Sequence, residues 1–437
     1  MAKRPHVSNW ARNQRFRPRE IARPASEDEL GATIAAAAAN NQRVRVMGAG
    51  HSFTAAAVTD DTHVTIHDLD QIHHLDVASG RVTVGAGITI RALNRALDGH
   101  GLALANMGDI DKQSLAGAVS TSTHGTGLAF TGFGGQVTGL RLVGPFGESR
   151  DIDANNHPEV FANARVSLGA LGVISRVTLQ TVPSFRLHAI EQSERLDDVL
   201  NSWRERIDTA DHFEFFMLPG SQNAMTKTNH RTDEPTAPLS RVGYVRDKIL
   251  LENVGLDVLC RVVRRWPGSV AKVSKVIDAA GGHREYTDRS FDVFATPRIV
   301  KFYETEWSVP VDAIPDAVRE VNAMARSLAA PIIFPIEVRA TAGDDVPLST
   351  AQGRESGYIA AHVYQGTSHD EYFANIAAIA RAHGGRPHWG KLHNETAESL
   401  AALYPDWDRF QAARSEADPE GRFSNAYLDR VLGSLSQ

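Results

Sequence analysis

The sequence predicts an α+β protein of two domains. Three observations lead there. The chain has 437 residues, too many for one ordinary core. Its first third alternates helix and strand signals between glycine-rich turns. Its later part sets long helical patterns beside strand-like runs, the mark of a sheet covered by helices. The first domain is expected over residues 1–184 and the second over 185–437. The last roughly thirty residues are expected to pack back on the first domain.

Each element has its own signal. Ser26-Glu27-Asp28-Glu29 has the form of a capping box, with Glu29 three positions beyond an N-cap serine. The alanine-rich residues 30–39 favour helix and stop at Asn40-Asn41. Val44-Arg45-Val46-Met47 reads as a strand entering Gly48-Ala49-Gly50-His51, and residues 63–67 and 81–84 alternate as further strands. Ile90, Leu93, Asn94 and Leu97 recur at helical spacing, with Gly99 as a stop. Strands at 140–143 and 173–178 complete a mixed region that ends near Pro183. Residues 229–238 are polar, carry two prolines and predict a loop. Helices are expected at 248–266 and 314–328, and strands at 300–309, 332–340 and 358–364. No internal repeat is present, which argues against a solenoid.

Bulk properties narrow the function. A formal net charge of -6 argues against a nucleic-acid binder, which normally shows a basic face. No apolar run approaches the roughly 18 residues of a membrane span. The polar N-terminus lacks the apolar core of a secretory signal, so a cytoplasmic protein without a membrane partner is expected. Cys260 stands alone, forms no intrachain disulfide, and lies in an apolar stretch that reads as core.

Three glycine-rich segments carry the chemistry. Gly48-Ala49-Gly50-His51-Ser52 follows a strand, as a phosphate-cradling turn does. Alone it is a weak signal, because Phe53 and Thr54 stand where a nicotinamide fingerprint wants glycine. Residues 114–127 offer hydroxyls, amides and little bulk, which suits a long polyanionic ligand. Gly169-Ala170-Leu171-Gly172-Val173-Ile174 leads into a strand. Further on, Glu337-Val338-Arg339 alternates on a strand and so presents both charges on one face. Such a pair is often only a surface ion pair.

In this order and spacing, the three segments resemble the FAD-binding (PCMH-type) domain of the vanillyl-alcohol-oxidase group. Within it the chain is similar to the aldonolactone oxidases and the related alditol oxidases. Asn9-Trp10-Ala11, His388-Trp389-Gly390-Lys391 and residues 423–428 extend the likeness over nearly the whole chain, although 185–299 carries no matching motif. The resemblance implies FAD bound covalently through His51. It implies cofactor contacts from Met47, Gly48, Ala49, Gly50, Ser52, Ser114, Gly117, Thr121, Ser122, Thr123 and His124, with Gly108, Asp109, Val173 and Ile174. Ser122 departs from the glycine more usual in that family. Gly108 would leave dioxygen a path where alanine obstructs it, which tips the reading toward oxidase; a glycine that merely permits a turn before Asp109 is the alternative.

The same resemblance implies a C-terminal α+β substrate domain. Glu337 would orient Arg339 and bind a substrate hydroxyl, and Arg339 would stabilise a developing alkoxide. Lys391 would take the hydroxyl proton if burial near Arg339 lowered its pKa. His362 is a hydroxyl-binding candidate, or a core histidine. The implied reaction is hydride transfer from a sugar-derived 1,4-lactone to flavin N5, with dioxygen reduced to hydrogen peroxide. Alditol oxidation, or a dehydrogenase using another acceptor, is the alternative. No metal is expected: His383, His388 and His393 recur every five residues, off any single helical face. A histidine-based hydrolase and a catalytically silent flavin- or sugar-binding module are the rivals from other classes.

Overall fold

Helix α1 (Glu27–Ala39) begins where its cap permits in the computed structural model, which describes residues 6–269, 282–328 and 332–435. Ser26 Oγ accepts from the Glu29 amide, and Glu29 Oε2 accepts from the Ala25 amide. Leu30, Ile34 and Ala37 are the buried face. Strands β1 (Glu20–Ala22), β2 (Val44–Met47) and β3 (Thr62–Thr65) make a small parallel sheet with β3 in the centre. A second, antiparallel sheet comprises β4 (Ile72–Asp76), β5 (Arg81–Gly85), β6 (Val137–Val143), β7 (Ser149–Asp153) and β8 (Val173–Gln180). Its order is β7-β6-β8-β5-β4. Helix α2 (Ile90–Asp98) turns Ile90, Leu93, Asn94 and Leu97 inward, as their spacing predicts, and Gly99 caps its end.

The second domain is built on a sheet of eight strands. In chain order these are β9 (Arg186–Arg195), β10 (His212–Met217), β11 (Asn223–Thr232), β12 (Arg284–Arg289), β13 (Phe302–Pro310), β14 (Ile336–Thr341), β15 (Ser356–Tyr364) and β16 (Arg386–Pro387). They lie in the order β12-β9-β11-β10-β14-β15-β13-β16, antiparallel at every step. Helices α3 (Ile314–Ser327) and α4 (Asp370–Ala382) cover one face, where Val318, Val321, Ile376 and Ala380 join Phe215, Trp307, Val338 and Ile359 in one apolar cluster. The α+β expectation thus holds.

Local differences from the sequence reading have local causes. The polar stretch at 229–238 is not all loop: β11 runs to Thr232, because residues 229–232 pair with 186–189. The expected helix at 248–266 starts earlier and is wound as a π-helix over Val245–Gly255 before an α-helix, Leu256–Arg265. Asn253 Nδ2 takes the carbonyl of Lys248 at 2.7 Å, five residues back, in the wider turn. Strand β14 begins at Ile336 rather than 332, after Pro335, which has no N–H to give.

The C-terminal segment lies against the first domain. The Val44 amide donates to the Arg422 carbonyl at 2.8 Å, so the outer edge of β2 is paired by chain from the far end of the sequence. Arg45 reaches the carbonyls of Phe423 and Leu168, and Asn425 Nδ2 donates to the carbonyls of Ala55 and Val58. Phe410, Leu428 and Val431 join the apolar cluster that contains Leu30, Val44 and Val177. Cys260 is buried, and burial pushes its thiol up to about 12. No helix among the described residues is long and apolar enough to cross a membrane.

Candidate active site

A groove of about 1360 Å³, counting its open mouth, runs over the end of β2 and along the glycine-rich segments. Met47, Gly48, Ala49, Gly50, His51, Ser52, Ser114, Gly117, Thr121, Val173 and Ile174 all line it. Its shape follows from small residues. A Cβ on Gly48 would stand 1.7 Å from Ser114 Oγ, and Gly50 adopts a φ of +69° that few side chains tolerate. Among the described residues, none accepts a hydrogen bond from the amides of residues 49–52, and the buried Ser114 Oγ has no partner. A run of free amides beside an unsatisfied hydroxyl is what a pyrophosphate needs. The groove therefore fits a dinucleotide.

His51 is clamped at one end of this groove. Trp10 stacks on its ring at a centroid distance of 5.6 Å and 24° between planes. The Trp10 amide donates to the Gly50 carbonyl, and Asn9 Nδ2 donates to the Ser52 carbonyl, so the N-terminal segment holds the turn from outside. Burial, aided by Lys112 and Lys391, lowers the His51 pKa to about 4. The imidazole is neutral at ordinary pH and keeps a nucleophilic lone pair.

A second cavity of about 470 Å³ adjoins the groove, and the two share Ile110, Gln113, Phe302, His388 and Lys391. One wall of it is a face of the eight-strand sheet, with Phe302, Glu304, Glu306, Glu337, Arg339 and His362. Register puts Glu337 opposite Phe216 and Arg339 opposite Tyr358, while Glu304 stands directly opposite His362 and Glu306 opposite Ala360. Alternation then places Glu214, Glu337, Arg339, His362, Glu304 and Glu306 on a single face. This one rule of strand geometry gathers most of the charge.

The charges divide into two groups. In the first, Arg339 Nε donates to Glu214 Oε2 at 2.9 Å, and its Nη2 reaches Glu337 and lies 3.5 Å from Asp109. Arg298, about a third exposed, also grips Asp109, and Lys227 lies 3.5 Å from Glu214. Burial works against ionising Asp109, yet Arg298 and Arg339 outweigh it and hold that carboxyl low. Burial likewise opposes the Arg339 charge, but Glu337, Glu214 and Asp109 keep it firmly protonated. Glu337 goes the other way. Burial, reinforced by Asp109 and Glu214, raises it to about 8 against the pull of Arg339. In the second group, Lys391 Nζ lies 2.5 Å from Glu304 and 3.9 Å from Glu306. Burial alone would lower the Lys391 pKa, but Glu304 and Glu306 raise it. Lys391 is therefore a fixed cation set against Glu304, which corrects the expectation of a lysine deprotonated beside Arg339.

Other expected cofactor residues sit in this cavity instead of the groove. Gly108, Asp109, Thr123 and His124 line it. His124 Nε2 is 3.1 Å from Glu306, its Nδ1 is 2.9 Å from the Gly125 carbonyl, and its ring stacks on Tyr358. A Cβ on Gly108 would lie 2.9 Å from the His124 carbonyl, so close backbone packing is itself a reason for that glycine. Ser122 lines neither space. It holds a φ of +61°, the region where glycine is at ease, and its hydroxyl is 3.1 Å from both the amide and the hydroxyl of Thr350.

Sequence reasoning missed Glu304, Glu306, Arg298 and Glu214. The glutamates at 304 and 306 carry the same i, i+2 signal that exposed Glu337 and Arg339. Arg298 sits in a loop with no period to read. His124, Glu306 and His388 bring three donor atoms within 4.8 Å of one another, a histidine set other than the regularly spaced one. His388 Nδ1 accepts from the Gly390 amide at 3.0 Å, so its neutral ring keeps the proton on Nε2 and has no free lone pair for a cation.

Comparison with known proteins agrees with this geometry. Residues 18–153 match a family model described as FAD binding domain, and residues 177–431 match one described as D-arabinono-1,4-lactone oxidase. The chain belongs to the D-arabinono-1,4-lactone oxidase family. It is 43% identical over 430 residues to L-gulono-1,4-lactone dehydrogenase of Mycobacterium tuberculosis, covering 98% of this chain and 99% of that one. It is 32% identical to L-gulonolactone oxidase of Bos taurus, covering 97% of both. A solved cholesterol oxidase of Brevibacterium sterolicum superposes with a TM-score of 0.80 over 98% of this chain and 97% of that one; at 16% identity it speaks for the fold alone. This member of the family is thus an FAD-dependent oxidoreductase, with the FAD domain first and the family domain after it.

Proposed function

We propose that this enzyme oxidises a carbinol carbon of a sugar-derived 1,4-lactone, with FAD tethered through His51 and dioxygen as the acceptor. The observation that carries the reading is the buried Glu337–Arg339 pair, walling a cavity that opens into the dinucleotide groove. FAD bound in that groove supplies a two-electron acceptor for hydride. The protein does the rest. Residues 49–52 and Ser114 would hold the pyrophosphate, and the neutral His51 would anchor the ring system. Arg339 sets a guanidinium against the oxygen on which charge develops. Protonated Glu337 donates to a substrate hydroxyl, while its other oxygen accepts from Arg339 and keeps that side chain in place. Gly108 leaves the cavity wall free of a side chain, which supports access by dioxygen.

The named dehydrogenase at 43% identity favours a second acceptor class, and one experiment separates the two. Purified protein is offered a panel of aldonolactones and alditols under air, with a dye acceptor in parallel. Peroxide released on a lactone supports the proposal. Dye reduction without peroxide moves the acceptor to another class, and reduction by alditols alone moves the substrate.

Glu337 also sets a pH dependence. Its carboxyl is neutral below about 8 and ionises above it. Ionisation removes a donor and adds negative charge where an alkoxide must form, so kcat/KM should fall as pH rises through that value. Glu337→Gln stays neutral and keeps a donor, and its profile should lose this alkaline limb. A profile unchanged in the variant would remove Glu337 from that role.

A further inference from the structure

The cavity holds several basic groups, but the geometry leaves few able to take a proton from a substrate hydroxyl. Lys391 is held as a cation by Glu304 and Glu306, and Arg339 by Glu214 and Asp109. His388 has its Nδ1 lone pair engaged by the Gly390 amide. His124 has an acceptor at hydrogen-bond distance on each side, the Gly125 carbonyl at 2.9 Å and Glu306 at 3.1 Å. His362 differs in that the carboxylate facing its Nε2, Glu304, stands off at 3.5 Å. Its Nδ1 lies 2.8 Å from the Pro335 carbonyl, which can only accept, so Nδ1 carries the proton. That fixes the tautomer and leaves a lone pair on Nε2, at the cavity wall.

We infer that His362 is the proton acceptor for the substrate hydroxyl and that Glu304 is its positioning residue. Glu304 stands opposite His362 in the β13–β15 ladder, with its Oε1 3.5 Å from Nε2. A carboxylate at that place stabilises the imidazolium formed when Nε2 gains a proton. Lys391, on the other side of Glu304, keeps that carboxylate ionised and spoken for, so the proton rests on the ring. The Leu392 amide donates to the Glu304 carbonyl at 2.9 Å and ties the Lys391 loop to β13. The remaining surroundings of the ring are apolar or belong to the same cavity. Phe302 packs edge-on at 4.9 Å and Phe334 at 5.7 Å, while Glu306 and Glu337 stand on the flanking strands.

The step balances. The substrate O–H bond breaks and its proton goes to His362 Nε2. The adjoining C–H bond breaks and its electron pair leaves as hydride to FAD, the oxidant of the family reaction. The C=O double bond forms.

This assignment rests on the lactone reading above, and anaerobic stopped-flow reduction of the bound flavin tests the two separately. His362→Asn should slow flavin reduction by roughly 10²–10⁴-fold while substrate affinity changes little. Glu304→Gln should slow reduction by a smaller factor, with the loss in kcat and not in KM, and it should add no further loss on top of His362→Asn. Flavin spectra and circular dichroism report folding. If His362→Asn does not fold, His362→Gln and the kcat-against-KM split of Glu304→Gln carry the same test. A His362 variant with the wild-type rate overturns the assignment, as does a Glu304→Gln enzyme whose loss lies in KM or adds in full to that of the His362 variant. A wild-type flavin that no lactone or polyol reduces overturns the functional reading and the assignment with it.

Discussion

Replacing Arg339 with methionine should reduce flavin reduction by lactone roughly 10²–10³-fold and destabilise the fold by about 3–5 kcal/mol. The two losses have different origins. The kinetic one follows from the proposed role of the guanidinium, set against the oxygen on which charge develops. The stability one arises because Glu337, Glu214 and Asp109 all turn to Arg339 and remain buried without it. Carboxylates stranded in this way take up protons, so the deficit should shrink as pH falls toward 5 and grow above neutrality. Thermal melts of the variant at several pH values read this directly. Adding Glu214→Gln to the methionine variant, which removes the ionised partner of Arg339 Nε, should return part of the stability and none of the rate. A single variant that is slow but as stable as wild type at every pH would refute the buried-cluster account.

Substituting alanine for His51 should turn a tethered flavin into an exchangeable one. In wild type, acid precipitation should leave the yellow colour with the pellet; in the variant it should pass to the supernatant. Variant activity should then depend on added FAD, and so should thermal stability. Reversible binding at a hundredfold excess over Kd contributes about 2.7 kcal/mol, a dependence that a covalent cofactor does not show. The neutrality of His51 gives a further sign. Its pKa is lowered to about 4, so its contribution to stability is complete above the ordinary histidine range and is lost as pH falls toward 4. Attachment during reconstitution should likewise slow in acid. Wild-type protein that surrenders all its flavin to acid would end the covalent reading.

Much of this site is readable from local pattern. The turn at 48–52 declares itself by small residues after a β-strand, and strand alternation alone places Glu337 and Arg339, two residues apart, on one face. The same spacing at Glu304 and Glu306 was equally available, but it became meaningful only once the ladder set Glu304 opposite His362. Partner choice is not local. Lys391 reads as a neighbour of Arg339 because both belong to motifs, yet Glu304, 87 positions earlier, decides its charge state. Arg298 reaches Asp109 from a loop whose course depends on Asn253, which accepts from the Ile299 amide and donates to the Pro297 carbonyl. Ser122 shows the opposite case, in which a motif position is occupied for its backbone angle while its side chain serves Thr350.

The pairing of Val44 with Arg422 has a consequence for how the enzyme is made. The amides at 49–52 leave the ribosome more than three hundred positions ahead of His388, Gly390, Lys391 and Phe423, which line the same groove. A growing chain therefore displays the glycine-rich turn before its far wall exists, and with one edge of the small parallel sheet still open to other strands. Flavin capture is thereby placed late in synthesis, after the segment that closes that edge.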